Sequence, residues 1–562
     1  MQLDAAFAPY RLTPGATPEE AARVATELEA EPLVAAPAVP LPVGILNRAL
    51  ADLPAGRAPS VEEACHAADG SPSGLSGPPR ACLSSARHRE RVAQAAREAL
   101  AAGFGGIYLD RPDAPLALGL LGAGFCHDCL RAFDRLLARE YGEQFHPVDY
   151  LLLAREALTT SSGAVAFDAL PFGREFWRFR TEALDEALRC YVRGARDAGR
   201  GLERPFQVVA QFEALGPAQF RAARHLDAAL FPGPEIPGTG IGHFRLVRAV
   251  LGRRPVAVAA PQIANPASPG AAASLARLAA VAATCGVEIS GLEPSGPAGV
   301  QVGKVRRLAR QLAQQAGRPP SLAQPVAEAC LLYSAESDLW TSGRHRLSVV
   351  RAGEALAALH LQSPVVTRVH DAPSPAALVL ADAVALSPAE AKEVRRRLEG
   401  GTAVLCFGEP AQVDEGGRPA GPFLPGGKAG GVKVGSGTLA ELPALFPAEG
   451  SPSAPDPATL EKALTALLGR GRRAAGVSGR APLLVVLHKT GDALDVHLVS
   501  LGPDRAQGVT LFLSSDIAGG VRRGRFISAD GNDVRIPLNP SGYSLSTVLP
   551  SFAGYAVLSL AT

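Results

Sequence analysis

The chain has almost no surplus of charge of either sign. Across 562 residues, 56 Lys and Arg stand against 54 Asp and Glu, a formal net charge of +2, and no long basic run occurs. Phosphate backbones are bound by concentrated positive charge, so nucleic acid is excluded as an obligate partner. There is also no run of about eighteen apolar residues, so no membrane span is expected. The opening, Met1-Gln2-Leu3-Asp4-Ala5, lacks a basic segment followed by an apolar one, and the chain reads as soluble and cytoplasmic. A disulfide framework is missing as well. The eight cysteines are scattered, with Cys285, Cys330 and Cys406 in apolar surroundings as reduced core residues. The exception is the close pair Cys126 and Cys129. Neither Gly408–Gly437 nor Gly238-Thr239-Gly240-Ile241-Gly242 sets a phosphate-binding glycine pattern between strand and helix, so no nucleotide is assigned.

What is present is ample material for large cores: 47% hydrophobic and 20% charged residues are ordinary globular values, and the length predicts several domains. From 1 to 325, short apolar runs alternate with segments of helical periodicity, the pattern of a parallel sheet with covering helices. Predicted strands are Leu3–Phe7, Leu33–Ala36, Gly106–Leu109, Phe206–Gln211, Ala228–Phe231, Val256–Ala260 and Val287–Leu292. Predicted helices include Arg87–Ala102 and Phe176–Ala198. About seven such units fit a (β/α)8 TIM barrel better than an open sheet. From 326 to 475 a second α/β region is expected, a flavodoxin-like (glutamine-amidotransferase-like) layer with strands at Cys330–Tyr333, Pro364–Val369, Ala377–Leu380 and Thr402–Phe407. Helices are predicted near Leu347–Leu359 and Pro388–Glu399, and Gly408–Gly437 reads as a long surface loop. From 476 to 562, alternating segments separated by Gly and Asp turns predict an antiparallel β-sandwich.

In a barrel, function collects where strands end, because loops there converge side chains on a rigid support. Asp110 follows Ile107-Tyr108-Leu109, and Pro112 stops the strand. Glu213 follows Val208-Val209-Ala210-Gln211-Phe212, and Glu293 follows Val287-Glu288-Ile289-Ser290-Gly291-Leu292. Facing carboxyl groups can divide acid and base labour, the chemistry of glycoside hydrolysis. Each also has a plainer reading as a helix cap or an ion pair, such as Asp110 with Arg111. Arg111, Asp113, Asp227 and Trp177 are candidate substrate contacts, with Glu235 a lesser one. Cys126 and Cys129 are spaced to share one tetrahedral metal ion, with Cys82, Cys65 or His127 needed to complete it; the other reading is a reduced thiol pair.

The run Ile107-Tyr108-Leu109-Asp110-Arg111-Pro112, then Phe125-Cys126-His127-Asp128-Cys129-Leu130-Arg131-Ala132-Phe133 and Glu140-Tyr141-Gly142, resembles the family 42 β-galactosidases and their barrel relatives. Tyr333-Ser334-Ala335-Glu336-Ser337-Asp338-Leu339-Trp340 with Arg351-Ala352-Gly353-Glu354-Ala355-Leu356 is similar to the opening of that family's trimerisation domain. The resemblance implies a barrel, an assembly domain and a terminal β-sandwich across nearly the whole chain, a carbohydrate substrate, and a homo-oligomer such as a trimer. It further implies a structural zinc near Cys126 and Cys129; no other cofactor is expected. It places Asp110 at the strand-four tip, where the family carries a Glu after Asn, and Glu293 as the strand-seven nucleophile. A related α-glycosidase pattern instead makes Asp110 the nucleophile and Glu213 the acid/base. With only two Trp and 5% aromatics for sugar stacking, a compact pocket is expected rather than a long groove. The Asp in place of the Asn-Glu pair leaves a second expectation beside a retaining glycoside hydrolase: a pseudoenzyme that binds carbohydrate or scaffolds without turnover.

Overall fold

The computed structural model describes the chain outside residues 1–10, 13–49, 54–62, 73–78, 102–105, 117–118, 161–169, 201–206, 235–237, 253, 255, 260–268, 291–296, 316–323, 342, 374–375, 415–423, 425–430, 447–454, 470–472, 491–492 and 561–562. It divides into two compact units: Met1–Ala35 with Pro40–Pro232 and Arg254–Ala259, and Ala36–Val39 with Gly233–Arg253 and Ala260–Thr562. Among the described residues, no helix is long and apolar enough to cross a membrane.

The first unit carries strands β1 (Arg11–Leu12), β2 (Leu50–Leu53), β3 (Gly106–Asp110), β4 (Gln207–Gln211), β5 (Ala228–Phe231) and β6 (Val256–Ala259). They pair in sequence order and every pair is parallel. Parallel neighbours need crossovers, and the helices Ala86–Ala101 and Gly173–Ala198 supply two of them. Ile107, Tyr108, Leu109, Val208, Val209 and Ala210 are fully buried, which is why these strands read as continuous apolar runs. The predicted strands Leu3–Phe7 and Leu33–Ala36 lie outside the described residues, and β1 and β2 were not anticipated. Among the described strands, Gly106–Asp110 is the third and Gln207–Gln211, the strand that leads to Glu213, is the fourth.

In the second unit, the helices Ile241–Leu251, Pro269–Thr284 and Pro297–Gln315 accompany the short strand Glu288–Ser290. A six-stranded sheet follows in the order Val365–Val366, Ala329–Leu332, Ala377–Ala381, Ala403–Phe407, Gly437–Leu442, Val432–Val434. All its pairs are parallel except the last. The end of the expected Gly408–Gly437 loop is therefore a hairpin, turning at Gly435, whose φ of 59° suits glycine.

The C-terminal part holds two antiparallel sheets of four and six strands. Their inner faces share one core, with Leu511, Leu513 and Leu545 from one and Val485, Val496, Phe526 and Leu558 from the other. Gln324–Pro325, assigned from sequence to the first region, pairs here with His488 and Lys489.

The helices Ile241–Leu251 and Arg344–Ala358 meet at glycines. A Cβ on Gly353 would stand 2.9 Å from the Gly242 Cα. Glu354 also fixes this crossing, accepting from the backbone N–H groups of Thr239 (2.8 Å) and Gly242 (3.1 Å) at the start of the first helix. Gly353→Val is expected to force the helices apart and cost about 1–3 kcal/mol, read as a lower urea midpoint with an unchanged slope. Wild-type stability would contradict this contact.

Candidate functional site

The carboxyl ends of β3 and β4 lie side by side, with Asp110 in register with Gln211. Tyr108 and Asp110 share one strand face, and the Tyr108 hydroxyl donates to Gln211 Oε1 at 2.6 Å, tying the two tips together. Asp110 is partly exposed, with its Oδ1 3.3 Å from Arg111 Nε. Arg111 itself turns the chain with φ 46°, and its backbone N–H reaches the Gln211 carbonyl at 2.9 Å. A left-handed arginine at a strand tip is uncommon and marks a point where surrounding contacts fix the backbone.

Glu213 lies two residues beyond Gln211. Its Oε1 is 3.6 Å from Arg80 Nη2, while its Oε2 is buried without a hydrogen-bond partner among the described residues. Asp113, fully buried beneath, fixes this loop. Its carboxylate accepts from the N–H groups of Glu213 (2.8 Å) and Ala214 (3.1 Å) and from Gln219 Nε2 (2.9 Å). Burial pushes the Asp113 carboxyl from 3.8 up to about 6, outweighing the three donors that favour its ionised form.

A carboxyl raised on folding stabilises the native state below its unfolded value and loses that contribution as pH rises through the folded one. Asp113 should thus remove about 3 kcal/mol of stability between about pH 4 and 6. In Asp113→Asn that slope should disappear from the pH dependence of urea unfolding. The amide would also set N–H against N–H at the Glu213 loop, costing about 1–3 kcal/mol. Parallel pH profiles for the two proteins would contradict this.

A second cluster forms on the segments around 63–66, 80–84 and 124–129. The Sγ atoms of Cys65, Cys82, Cys126 and Cys129 all lie within 4.8 Å of one another, and three of these residues are buried. Cys82 Sγ is 3.2 Å from Cys126 Sγ and 3.5 Å from Cys129 Sγ. The Cys65 sulfur accepts from the Gly124 N–H at 2.9 Å. Hydrogen bonding from Cys129, Cys65 and Cys82 pulls the Cys126 thiol well below its ordinary value. Four sulfurs this close match the donor set of a closed tetrahedral zinc site, so these residues fit the metal. Of the completions considered from sequence, the structure brings in Cys65 and Cys82. The core beneath is aromatic, with Phe125, Phe133, Tyr150, Phe176 and Phe179 packed together.

The cluster and the strand tips are physically connected. The segments meet in a bridge, with Cys65 N–H donating to the Arg80 carbonyl (2.7 Å) and Cys82 N–H to the Glu63 carbonyl (2.9 Å). Arg80, which reaches Glu213, sits two residues before Cys82. Sequence reasoning missed Arg80, because its partner lies more than a hundred residues away and nothing local marks it. Buried Arg180 was missed too; it donates to the carbonyls of Pro115, Gly119 and Leu120 and so holds the loop after β3.

The remaining candidates separate from this group. Asp227 precedes β5 and accepts from the Val208 N–H at 2.8 Å, at the amino ends of the strands, opposite the end that bears Asp110 and Glu213. Its second oxygen faces Arg196 at 3.4 Å. Trp177 packs against the aromatic core, with Arg180 5.2 Å from its ring centre, rather than presenting a platform beside Asp110. Glu293 and Glu235 lie outside the described residues. In the six-stranded domain, His345 commits both ring nitrogens to backbone groups, to the Ser334 N–H (2.9 Å) and the Ala381 carbonyl (2.8 Å), so it heads no catalytic triad.

No family model and no curated protein matches the chain by sequence. Solved structures do match across most of its length. It is similar to the β-galactosidase from Bacillus circulans sp. alkalophilus, with a TM-score of 0.64, 12% identity, and 92% of this chain and 90% of that one covered. A catalytic mutant of a GH42 β-galactosidase from G. stearothermophilus matches with a TM-score of 0.60 and 11% identity, over 92% of this chain and 89% of that one. The α-L-fucosidase isoenzyme 2 from Paenibacillus thiaminolyticus matches with a TM-score of 0.58 and 13% identity, over 91% and 87%. At such identities the likeness shows a shared glycoside hydrolase-like fold.

Proposed function

We propose that this chain hydrolyses a glycosidic bond by a retaining two-carboxylate mechanism on a (β/α)8 barrel, with Glu213 as acid/base and Asp110 as nucleophile. The observation that carries the reading is Glu213 itself: a carboxyl group just past the tip of the fourth described strand, one oxygen near Arg80 and the other buried and unpartnered. An oxygen with no hydrogen-bond partner can hold or release a proton without first breaking a bond to the protein. Asp110 is on the neighbouring strand tip, and adjacent strands run about 4.8 Å apart. Retention would require the two carboxyl groups to stand about 5–5.5 Å apart, against about 6.5–9.5 Å for inversion. Arg111 beside Asp110 and Arg80 beside Glu213 balance the charge and orient the two acids. Asp113 is a positioning residue for Glu213, since all three of its hydrogen bonds go to the Glu213 loop and the helix after it. Glu293 is the rival nucleophile.

The test is a screen of the full chain on aryl glycosides, followed by Asp110→Asn and Glu293→Gln. Loss of turnover in Asp110→Asn with retention in Glu293→Gln supports the assignment; the reverse moves the nucleophile to Glu293. Saturable sugar binding without turnover on any aryl glycoside would overturn hydrolysis in favour of a carbohydrate-binding pseudoenzyme.

We also propose that Cys65, Cys82, Cys126 and Cys129 hold one structural zinc, which would supply a cross-link between three loop segments and no step of the chemistry. The proposed order of parts is barrel (1–325), flavodoxin-like domain (326–475) and β-sandwich (476–562) in a soluble cytoplasmic protein. The flavodoxin-like domain serves assembly into a homo-oligomer, a trimer by analogy with the family it resembles. Light scattering on the full chain measures that state.

A further inference from the structure

The second unit contains a cavity of about 210 Å³ that no part of the proposed mechanism uses. It is lined by the helix Ile241–Leu251, the end of the helix Pro269–Thr284, the strand Leu483–Thr490, and the segments around Val326 and Val365. Two features of its lining point to a ligand.

The first is buried positive charge. Arg245 and Arg248 project into it from one helix, one turn apart, and Arg245 is only 8% exposed. Arg245 Nη1 donates to the Ser363 carbonyl (3.1 Å) and hydroxyl (2.9 Å), which are neutral acceptors. Among the described residues no carboxylate lies within ion-pair distance of it. Arg248 Nη1 donates to the Gly286 carbonyl at 3.0 Å. Burial lowers the pKa of both guanidinium groups, Arg248 to about 10, and both stay cationic near neutral pH. For Arg245, whose hydrogen-bond acceptors are both neutral, such burial is costly unless an anion joins it.

The second feature is His488. It is 6% exposed, it lines the same cavity, and its Nδ1 is buried without a hydrogen-bond partner among the described residues. Burial and nearby positive charge keep the ring neutral, so it can present one N–H donor. Most of the remaining wall is apolar, with Val326, Val365, Val486 and Leu487 contributing beside Thr284 and Gln362. Hydrocarbon beside a cationic end suits an anion with an apolar body and disfavours a fully hydrated inorganic one.

We infer that this cavity is a binding site for a short aliphatic carboxylate, its carboxylate held by Arg245, Arg248 and His488 and its chain against the valine-lined wall. An Arg fork matches the two carboxylate oxygens in spacing and plane. The site is independent of the strand tips bearing Asp110 and Glu213, so it stands whether or not the chain turns over glycosides.

The test is calorimetric titration of the full chain with sodium butyrate, sodium acetate and sodium phosphate at matched ionic strength. Butyrate should saturate one site per chain and bind about tenfold more tightly than acetate, because it buries two further methylene groups. Arg245→Met should weaken butyrate at least tenfold. Because Arg245 also anchors Ser363, Ala249→Leu serves as the second variant: it fills the cavity from the same helix with a good helix former and leaves the cations in place. It too should weaken butyrate at least tenfold, with an unchanged circular dichroism spectrum. No saturable butyrate binding, phosphate binding as tightly as butyrate, or butyrate binding unaltered in Ala249→Leu would each overturn the proposal.

Discussion

Glu213→Gln is expected to lower turnover on glycosides with poor leaving groups by on the order of 10²–10⁴-fold, the usual contribution of a positioned proton donor. The substitution preserves shape and removes the ionisable proton together with the charge that faces Arg80. The backbone of residue 213 stays fixed by Asp113, so misplacement of the loop would not explain the loss. Arg80→Met should give a smaller loss, because it leaves the acid in place without the cation 3.6 Å from it. Steady-state kinetics on a nitrophenyl and an alkyl glycoside would read both effects. Equal losses for the two variants would indicate that Glu213 acts through its ion pair.

Cys129→Ser is expected to abolish stoichiometric zinc. Purified wild-type chain should carry one zinc per chain by elemental analysis. The variant should hold it more than about 100-fold more weakly, beyond the 10–100-fold typical of losing an outer-shell partner. Three segments far apart in sequence would then lose their common tie, and the thermal midpoint should fall because metal binding contributes directly to folding. Cys285→Ser provides the comparison, since that buried thiol lies outside the cluster and should leave zinc content unchanged. A further consequence separates a structural cluster from an inert one. Arg80 is two residues from Cys82, so chelation should lower turnover through Glu213 although the metal touches no substrate. Zinc-free wild-type protein with full stability would contradict the role.

How much of this was readable in the sequence follows from the range of each interaction. Strands β3, β4 and β5 are buried on both faces, so their apolar runs stand out, and the predicted limits of these strands and of β6 agree within a residue or two. The acids at the end of β3 and just beyond β4 were visible for the same reason, since each follows a buried apolar run. Strands β1 and β2 were not predicted because they are only two and four residues long and lie in segments without strong periodicity.

Asp227 was misjudged through strand direction. It comes before β5 rather than after it, and a parallel strand puts such a residue at the amino end, where it caps the Val208 N–H. Trp177 has core neighbours on its own helix in Phe176 and Phe179, and that pattern carried its true role. By contrast, the Asp113 contact with Gln219 and the Arg80 contact with Glu213 join residues more than a hundred apart. No local pattern encodes them. The four-cysteine cluster was half legible: the Cys126-x-x-Cys129 spacing is local, whereas Cys65 and Cys82 arrive through the bridge between residues 64 and 81.

The most direct measurement is the dependence of kcat/KM, which reads the steps up to cleavage of the glycosidic bond, on leaving-group acidity in wild type and in Glu213→Gln, using a series of aryl glycosides on the full chain. If Glu213 donates the proton to the glycosidic oxygen, the variant should be nearly as fast as wild type on the most acidic leaving group. It should then fall steadily behind as the leaving group becomes more basic, to a deficit on the order of 10²–10⁴-fold. A deficit that is the same across the series, or absent throughout, would contradict Glu213 as the acid/base.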